Sequence, residues 1–305
     1  MNIPVIAFFN NKGGVGKTSL VYHLAWMYSD MDIAVIAADL DPQANLTAAF
    51  LPESRLEELY DKHADGTIFG CVKPLLKGLG DIDKPYPVRI SDNLTLIAGD
   101  LALSAFEDEL SQQWRLCLDR DERAFRVLSV FYRTMQVVAN ERGAQLILVD
   151  LGPNLGAINR VALVSADYVV IPLSPDLFSL KGLENLGPTL RRWREQWKER
   201  LVKNPVKNLL LPSGTIKPLG YIVLQHSIRL DRPVKAYDKW IARIPGAYAE
   251  KVLDMPAKPH VTIENDPQCL SLLKHYRSLM PMAQEASKPI FHLKPADGAI
   301  GAHVS

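Results

Sequence analysis

Asn10-Asn11-Lys12-Gly13-Gly14-Val15-Gly16-Lys17-Thr18-Ser19 lies between an apolar run, Ile3–Phe9, and a segment in which Val21, Leu24, Ala25 and Tyr28 fall at i, i+3, i+4 and i+7. The run reads as a buried strand and the spacing as one apolar face of a helix. A glycine-rich connection of this kind lets backbone N–H groups approach a ligand, and the helix N-terminus favours an anion, so phosphate is the expected guest. In the pattern G-x-x-x-x-G-K-[ST] the lysine reaches a nucleotide's β- and γ-phosphates and the hydroxyl ligates Mg²⁺. Those positions are Lys17 and Thr18 here, with Gly13, Gly14, Val15, Gly16 and Ser19 completing the cradle. Asn11 stands where the first glycine is usual, and Lys12 lies inside the loop. A glycine-rich turn with incidental lysines is the bland alternative.

The strand reading extends to Ile33–Ala38, Leu94–Ala98, Leu146–Asp150, Tyr168–Leu173 and Leu219–Leu224. Helical patterns separate most of these, including residues 120–140, where Ala124, Val127, Leu128 and Phe131 repeat the same spacing. Alternation of this kind predicts right-handed crossovers and a doubly wound α/β fold, a mostly parallel sheet with helices on both faces. Stretches 76–90 and 204–217 read as surface loops. One domain over residues 1–290 with a flexible tail, 291–305, is expected; two domains divided near residue 205 is the alternative.

Carboxylates close two of the strands. Asp39 and Asp41 follow Ile33–Ala38, and alternation places both on one side of the chain. The carboxyl ends of parallel strands open into the ligand crevice. Asp41-Pro42 also reads as a helix start, so a polar turn is the competing assignment. Leu146–Val149 is an apolar strand closing on Asp150. That is the form of a Walker B element, whose acid holds Mg²⁺ through water.

Lys12 to Ser19 match KGGVGKT[TS] at every position, and the sequence here resembles the ParA/MinD family of deviant Walker A P-loop ATPases, of the ParA partition type. Asp39-Leu40-Asp41-Pro42-Gln43-Ala44-Asn45 is similar to the family's D-x-D-P-Q-[GA]-N, and Val169–Pro175 and Phe178–Leu183 continue the likeness, which covers residues 3 to about 200 and more loosely to 285. The resemblance implies ATP and Mg²⁺ as cofactors and an ATP-dependent homodimer closed over two nucleotides. Lys12 would reach the partner's triphosphate while Lys17 serves its own; Asp41 would position the attacking water and Asp39 support the metal shell. It also implies nonspecific DNA binding, a ParB-like or other activator, and a cargo that is a plasmid, a chromosome or a protein assembly.

Two departures stand out. Where the family has D-x-P-P-S-L-G, this chain has Asp150-Leu151-Gly152-Pro153-Asn154-Leu155-Gly156, so Gly152 replaces a proline and a more mobile loop is expected. At the adenine position the family often has Asn; Gln225 and His226 stand here as candidates, a packed surface histidine being the alternative.

With 35 basic against 34 acidic residues, DNA contact requires a local patch. Leu186, Leu190, Trp193, Trp197 and Leu201 form a buried helix stripe, beside which Arg191, Arg194 and Lys198 share a flank. From Arg191 to Lys207 seven basic residues face two acids, and Arg229, Arg232 and Lys235 form a second candidate. A solvated, salt-bridged face is the competing assignment. Gly187-Pro188 is expected to kink or start this helix.

Cys71, Cys117 and Cys269 have no metal-ligand spacing, which disfavours a reductase of the nitrogenase-iron-protein type, and no run approaches a membrane span. A cytoplasmic protein, nucleoid-associated when ATP-bound, is expected. With the loop about ten residues from the first, no preceding helix-turn-helix is expected, and the small C-terminal residues do not form a basic amphipathic membrane helix. An ATP-dependent enzyme of the dethiobiotin synthetase type is the rival function; such enzymes generally lack the loop lysine.

Overall fold

Period-two alternation sorts the strands' side chains into two cores, one on each face of a single sheet. The computed structural model describes residues 2–225, 239–274 and 279–298. Its strands are β1 (Val5–Phe8), β2 (Val35–Asp39), β3 (Val88–Arg89), β4 (Leu94–Ile97), β5 (Leu146–Asp150), β6 (Tyr168–Leu173), β7 (Lys217–Gln225) and β8 (Cys269–Lys274). They lie in the order β3-β4-β2-β5-β1-β6-β7-β8. Among the described residues only the β3–β4 pairing is antiparallel.

The helices are α1 (Lys17–Asp30), α2 (Asn45–Phe50), α3 (Glu53–Lys62), α4 (Ile68–Leu76), α5 (Glu107–Leu116), α6 (Glu122–Leu128), α7 (Val130–Glu141), α8 (Ala157–Val164), α9 (Leu177–Leu201), α10 (Ile244–Ala247) and α11 (Leu279–Glu285). Val5, Ala7, Ile36, Ala38, Ile147, Val149, Val169 and Ile171 face the larger core, against α4 to α9. Phe8, Val35, Ala37, Leu148 and Val170 face the smaller core with α1, α2 and α3. By the same alternation Asp39 and Asp150, paired across β2 and β5, share the α1 side. The doubly wound expectation therefore holds, and the sheet runs without interruption across residue 205.

Three local expectations change. Residues 120–140 form two helices that meet at Ser129, whose hydroxyl bonds back to Phe125 O at 2.8 Å. Gly187-Pro188, expected to kink or start the helix, does not start it; α9 runs through it from Leu177. Gly187 is where α9 presses against the backbone at Lys251, leaving no room for a Cβ. Of the ending expected as a flexible tail, residues 290–297 carry two short 3₁₀ turns, and His292 bonds to Asp30 of α1 at 2.7 Å.

Candidate functional site

The loop between β1 and α1 turns through Gly14 and Gly16, at φ +71° and +74°, a region that favours glycine. At Gly16 a Cβ would also lie 2.5 Å from Leu224 of β7. Asn10 anchors the base of the loop, its amide donating to Pro172 O at 2.7 Å and its Oδ1 accepting from Lys12 N at 3.0 Å. Asn11 is half-buried, with an Oδ1 that lacks a partner.

Lys17 is buried at the start of α1, its ammonium 3.4 Å from Lys12 O. Burial pushes its pKa down, while Asp150 and Asp41 pull it back up. The two acids thus oppose the burial penalty on the cation.

Asp39, Asp41 and Asp150 converge below it, all buried. Burial raises the carboxyls of Asp39 and Asp150; Asp39 raises that of Asp150 further, and Asp41 raises both. The Thr18 hydroxyl sits beside Asp150 and favours its charged form, and Leu151 N donates to Oδ1 at 3.1 Å. Asp150 Oδ2 is buried and without a hydrogen-bond partner. Crowded acids with an orphan oxygen fit a divalent cation. Among the described residues no three His, Cys, Asp or Glu side chains are set to hold a metal by themselves. Mg²⁺ is usually held by one or two protein groups, substrate phosphates and water. Thr18 and Asp150 could hold it.

Asp39 is turned elsewhere. Its Oδ2 accepts from both Thr47 N and Thr47 Oγ1 at 2.8 Å, and its Oδ1 from Asp41 N at 3.3 Å. Its oxygens are thus engaged within the fold, and its contacts fix α2 and the chain at Asp41. Thr47 was not legible as a site residue. Asp41 accepts Gln43 N at 3.1 Å, and a Cβ on Gly152 would lie 3.0 Å from its Oδ1. The glycine that replaces a proline in the expected pattern is therefore a point where the loop after Asp150 lies close against Asp41.

Lys12 is about one-third exposed and ion-paired with Asp176 of the same chain. Asp176 also caps α9, accepting from Ser179 N at 2.9 Å. Ser174-Pro175-Asp176 ahead of an apolar helical repeat was the signal for that cap.

The basic flank on α9 comes apart. Arg191 donates to Lys251 O at 2.8 Å and Val252 O at 3.2 Å, and Arg194 reaches Ile216 O at 3.3 Å. Arg200, counted among the seven, is buried and donates to Trp114 O at 2.7 Å. Lys198 and Arg192 remain exposed. Gln225 closes β7, but its side chain lies outside the described residues, as do His226, Arg229, Arg232 and Lys235.

Among the described residues no helix is long and apolar enough to cross a membrane. A domain model described as an AAA domain, AAA_31, matches residues 3–203. The chain is 28% identical over 188 residues to the sporulation initiation inhibitor protein Soj of Bacillus subtilis, covering 61% of this chain and 64% of Soj. It is 28% identical over 201 residues to the chromosome partitioning protein ParA of Caulobacter vibrioides, covering 65% of this chain and 66% of that protein. It thus spans under two-thirds of either relative. Protein DIP2308 from Corynebacterium diphtheriae has a similar structure, with a TM-score of 0.74 and 25% identity over 93% of this chain and 97% of that one.

Proposed function

The chain belongs to the AAA_31 family, among the ParA/MinD P-loop ATPases, and on that premise we propose that it is a ParA-type ATPase that positions a cargo on DNA. The observation that carries the proposal is the convergence of buried Lys17, Asp41 and Asp150 beneath a phosphate loop that also presents Lys12. ATP binds with its phosphates along the N–H groups of residues 13–18, and Lys17 contacts the β- and γ-phosphates. Thr18 and Asp150 would hold Mg²⁺, which when bound would supply positive charge against the charge developing on the phosphates.

Asp41 accepts a hydrogen bond from the attacking water and points it at the γ-phosphate. Two subunits close face to face over nucleotide, and Lys12 leaves Asp176 to reach the partner's triphosphate. A cation supplied in trans in this way is worth roughly 10³–10⁵ in rate. The dimer binds DNA without reading sequence, through exposed cations such as Lys198, and a ParB-like or other activator triggers hydrolysis and release. The protein then works in the cytoplasm, on the nucleoid while ATP is bound. Gln225 is the adenine-contact candidate.

The deciding measurement pairs light scattering with ATPase rates, with and without nonspecific DNA. ATP-dependent doubling of mass and DNA-stimulated or DNA-bound turnover are expected; a monomer that hydrolyses ATP at every protein concentration would exclude the dimer mechanism.

A further inference from the structure

The loop after Asp150 is held from one residue in the helix that follows it. Asn159 of α8 is 1% exposed. Its amide nitrogen lies 2.9 Å from Gly152 O, 2.7 Å from Asn154 O and 3.0 Å from Asn154 Oδ1. The amide orientation is fixed by these partners, since flipping it would set its oxygen against three acceptors. Its own Oδ1 is buried without a partner. A buried polar group left half-satisfied calls for an explanation, and the one available here is the grip on the loop.

The other end of the loop is fixed from a third element. Glu107, in the first turn of α5, accepts from Ala157 N and, at 2.9 Å, from Ile158 N, so its carboxylate caps the N-terminus of α8. Gly156 permits the approach, because a Cβ there would lie 2.5 Å from Glu107 Oε1. Glu107 thus sets where α8 begins, α8 sets where Asn159 stands, and Asn159 sets the Gly152 carbonyl. Gly152 in turn abuts Asp41.

We infer that Asn159 and Glu107 are positioning residues for hydrolysis, holding Gly152 so that the Asp41 carboxylate keeps its place over the γ-phosphate. The inference rests on the ATPase reading above and goes beyond it, since neither residue touches the phosphate loop. Without the bracket the loop retains its covalent path but loses the contact that fixes Gly152 against Asp41, and a displacement of about 1 Å at such a site costs on the order of 10²-fold in rate. Nucleotide affinity, set by the P-loop, stays where it was.

The test compares wild type with Asn159→Ala, Asn159→Asp, Glu107→Ala and Glu107→Gln, by steady-state ATPase, binding of a fluorescent ADP and amide hydrogen exchange. Both Asn159 variants should lower kcat by about 10²-fold with the ADP Kd within about threefold, and raise exchange at residues 151–157 while β5 stays protected. Glu107→Gln, which keeps one acceptor, should recover much of the loss caused by Glu107→Ala. Unchanged exchange at 151–157, or kcat within about twofold of wild type, overturns the inference. So does a loss in which kcat and ADP affinity fall by the same factor. A wild type that binds ADP but never hydrolyses ATP would instead overturn the function proposed, and exchange at 151–157 still decides whether the bracket exists.

Discussion

The ammonium of Lys12 is paired with the carboxylate of Asp176 within one chain. Both side chains are about one-third exposed, and pairs of that kind contribute about 0–1 kcal/mol. Opening it is therefore a small barrier to Lys12 reaching a second subunit. Lys12→Ala is expected to leave ATP binding by the monomer nearly intact and to abolish ATP-dependent dimers. Unchanged dimerisation in light scattering would count against a cross-subunit role.

Asp41 stands between the phosphate loop and Gly152, with one oxygen on Gln43 N. Asp41→Ala removes the water-orienting acceptor but none of the groups that hold phosphate. The variant should bind ATP, accumulate as dimer and turn over about 10²-fold or more slowly. Turnover at the wild-type rate would remove Asp41 from the chemistry.

Gly16 combines a left-handed φ with a close neighbour in Leu224. Gly16→Ala should cost about 1–2 kcal/mol in backbone strain alone, with the overlap added to it. Leu224→Ala placed on top of it relieves the overlap but not the strain. In urea titrations the double variant is therefore expected to fall between Gly16→Ala and wild type after correction for the Leu224→Ala single variant.

Asp81 bonds to Arg126 and Arg133, each at 2.6 Å. Burial pushes its carboxyl up, but the bonds from Arg133, Ile82 N and Arg126 outweigh it and hold the pKa below the usual carboxylate range. A depressed folded-state pKa gives stability that is present above the unfolded value, about 4, and is lost as pH falls through the folded one. Denaturation midpoints of wild type and Asp81→Asn should differ at pH 7 and converge towards pH 2–3. A difference that stays constant with pH would mean that the pair carries no linkage.

What the sequence disclosed and withheld follows from range. Lys12 to Ser19 and the strands ending in Asp39 and Asp150 were legible because their signals are contiguous: glycines, an apolar run, a terminal acid. β8 escaped because its residues, Cys269-Leu270-Ser271-Leu272-Leu273-Lys274, are leucine-rich and not β-branched, a composition that favours helix over strand. The break at Ser129 was hidden because Phe125, Ser129 and Arg133 keep helical spacing across it. Thr47 holding Asp39, and Asp176 holding Lys12, join residues through the fold, where spacing carries no information. Gly152 was noticed as a missing proline, but its meaning, room beside Asp41, required the packing.

Arg191 and Lys198 looked equivalent as a DNA-binding flank, and the fold separates them. The Arg191 guanidinium ties α9 to the turn at Tyr248–Val252 through two carbonyls, whereas Lys198 is exposed on the same helix. Arg191→Ala leaves those carbonyls without their donor and should cost about 1–2 kcal/mol, seen as a melting temperature lower by several degrees. Lys198→Ala should shift stability by no more than about 0.5 kcal/mol. If this face meets DNA, Lys198→Ala lowers affinity for all sequences alike and reduces the salt dependence by about one phosphate contact. An unchanged salt slope for Lys198→Ala would move the DNA contact off this flank of α9, because its partners there, Arg191 and Arg194, already donate to backbone carbonyls.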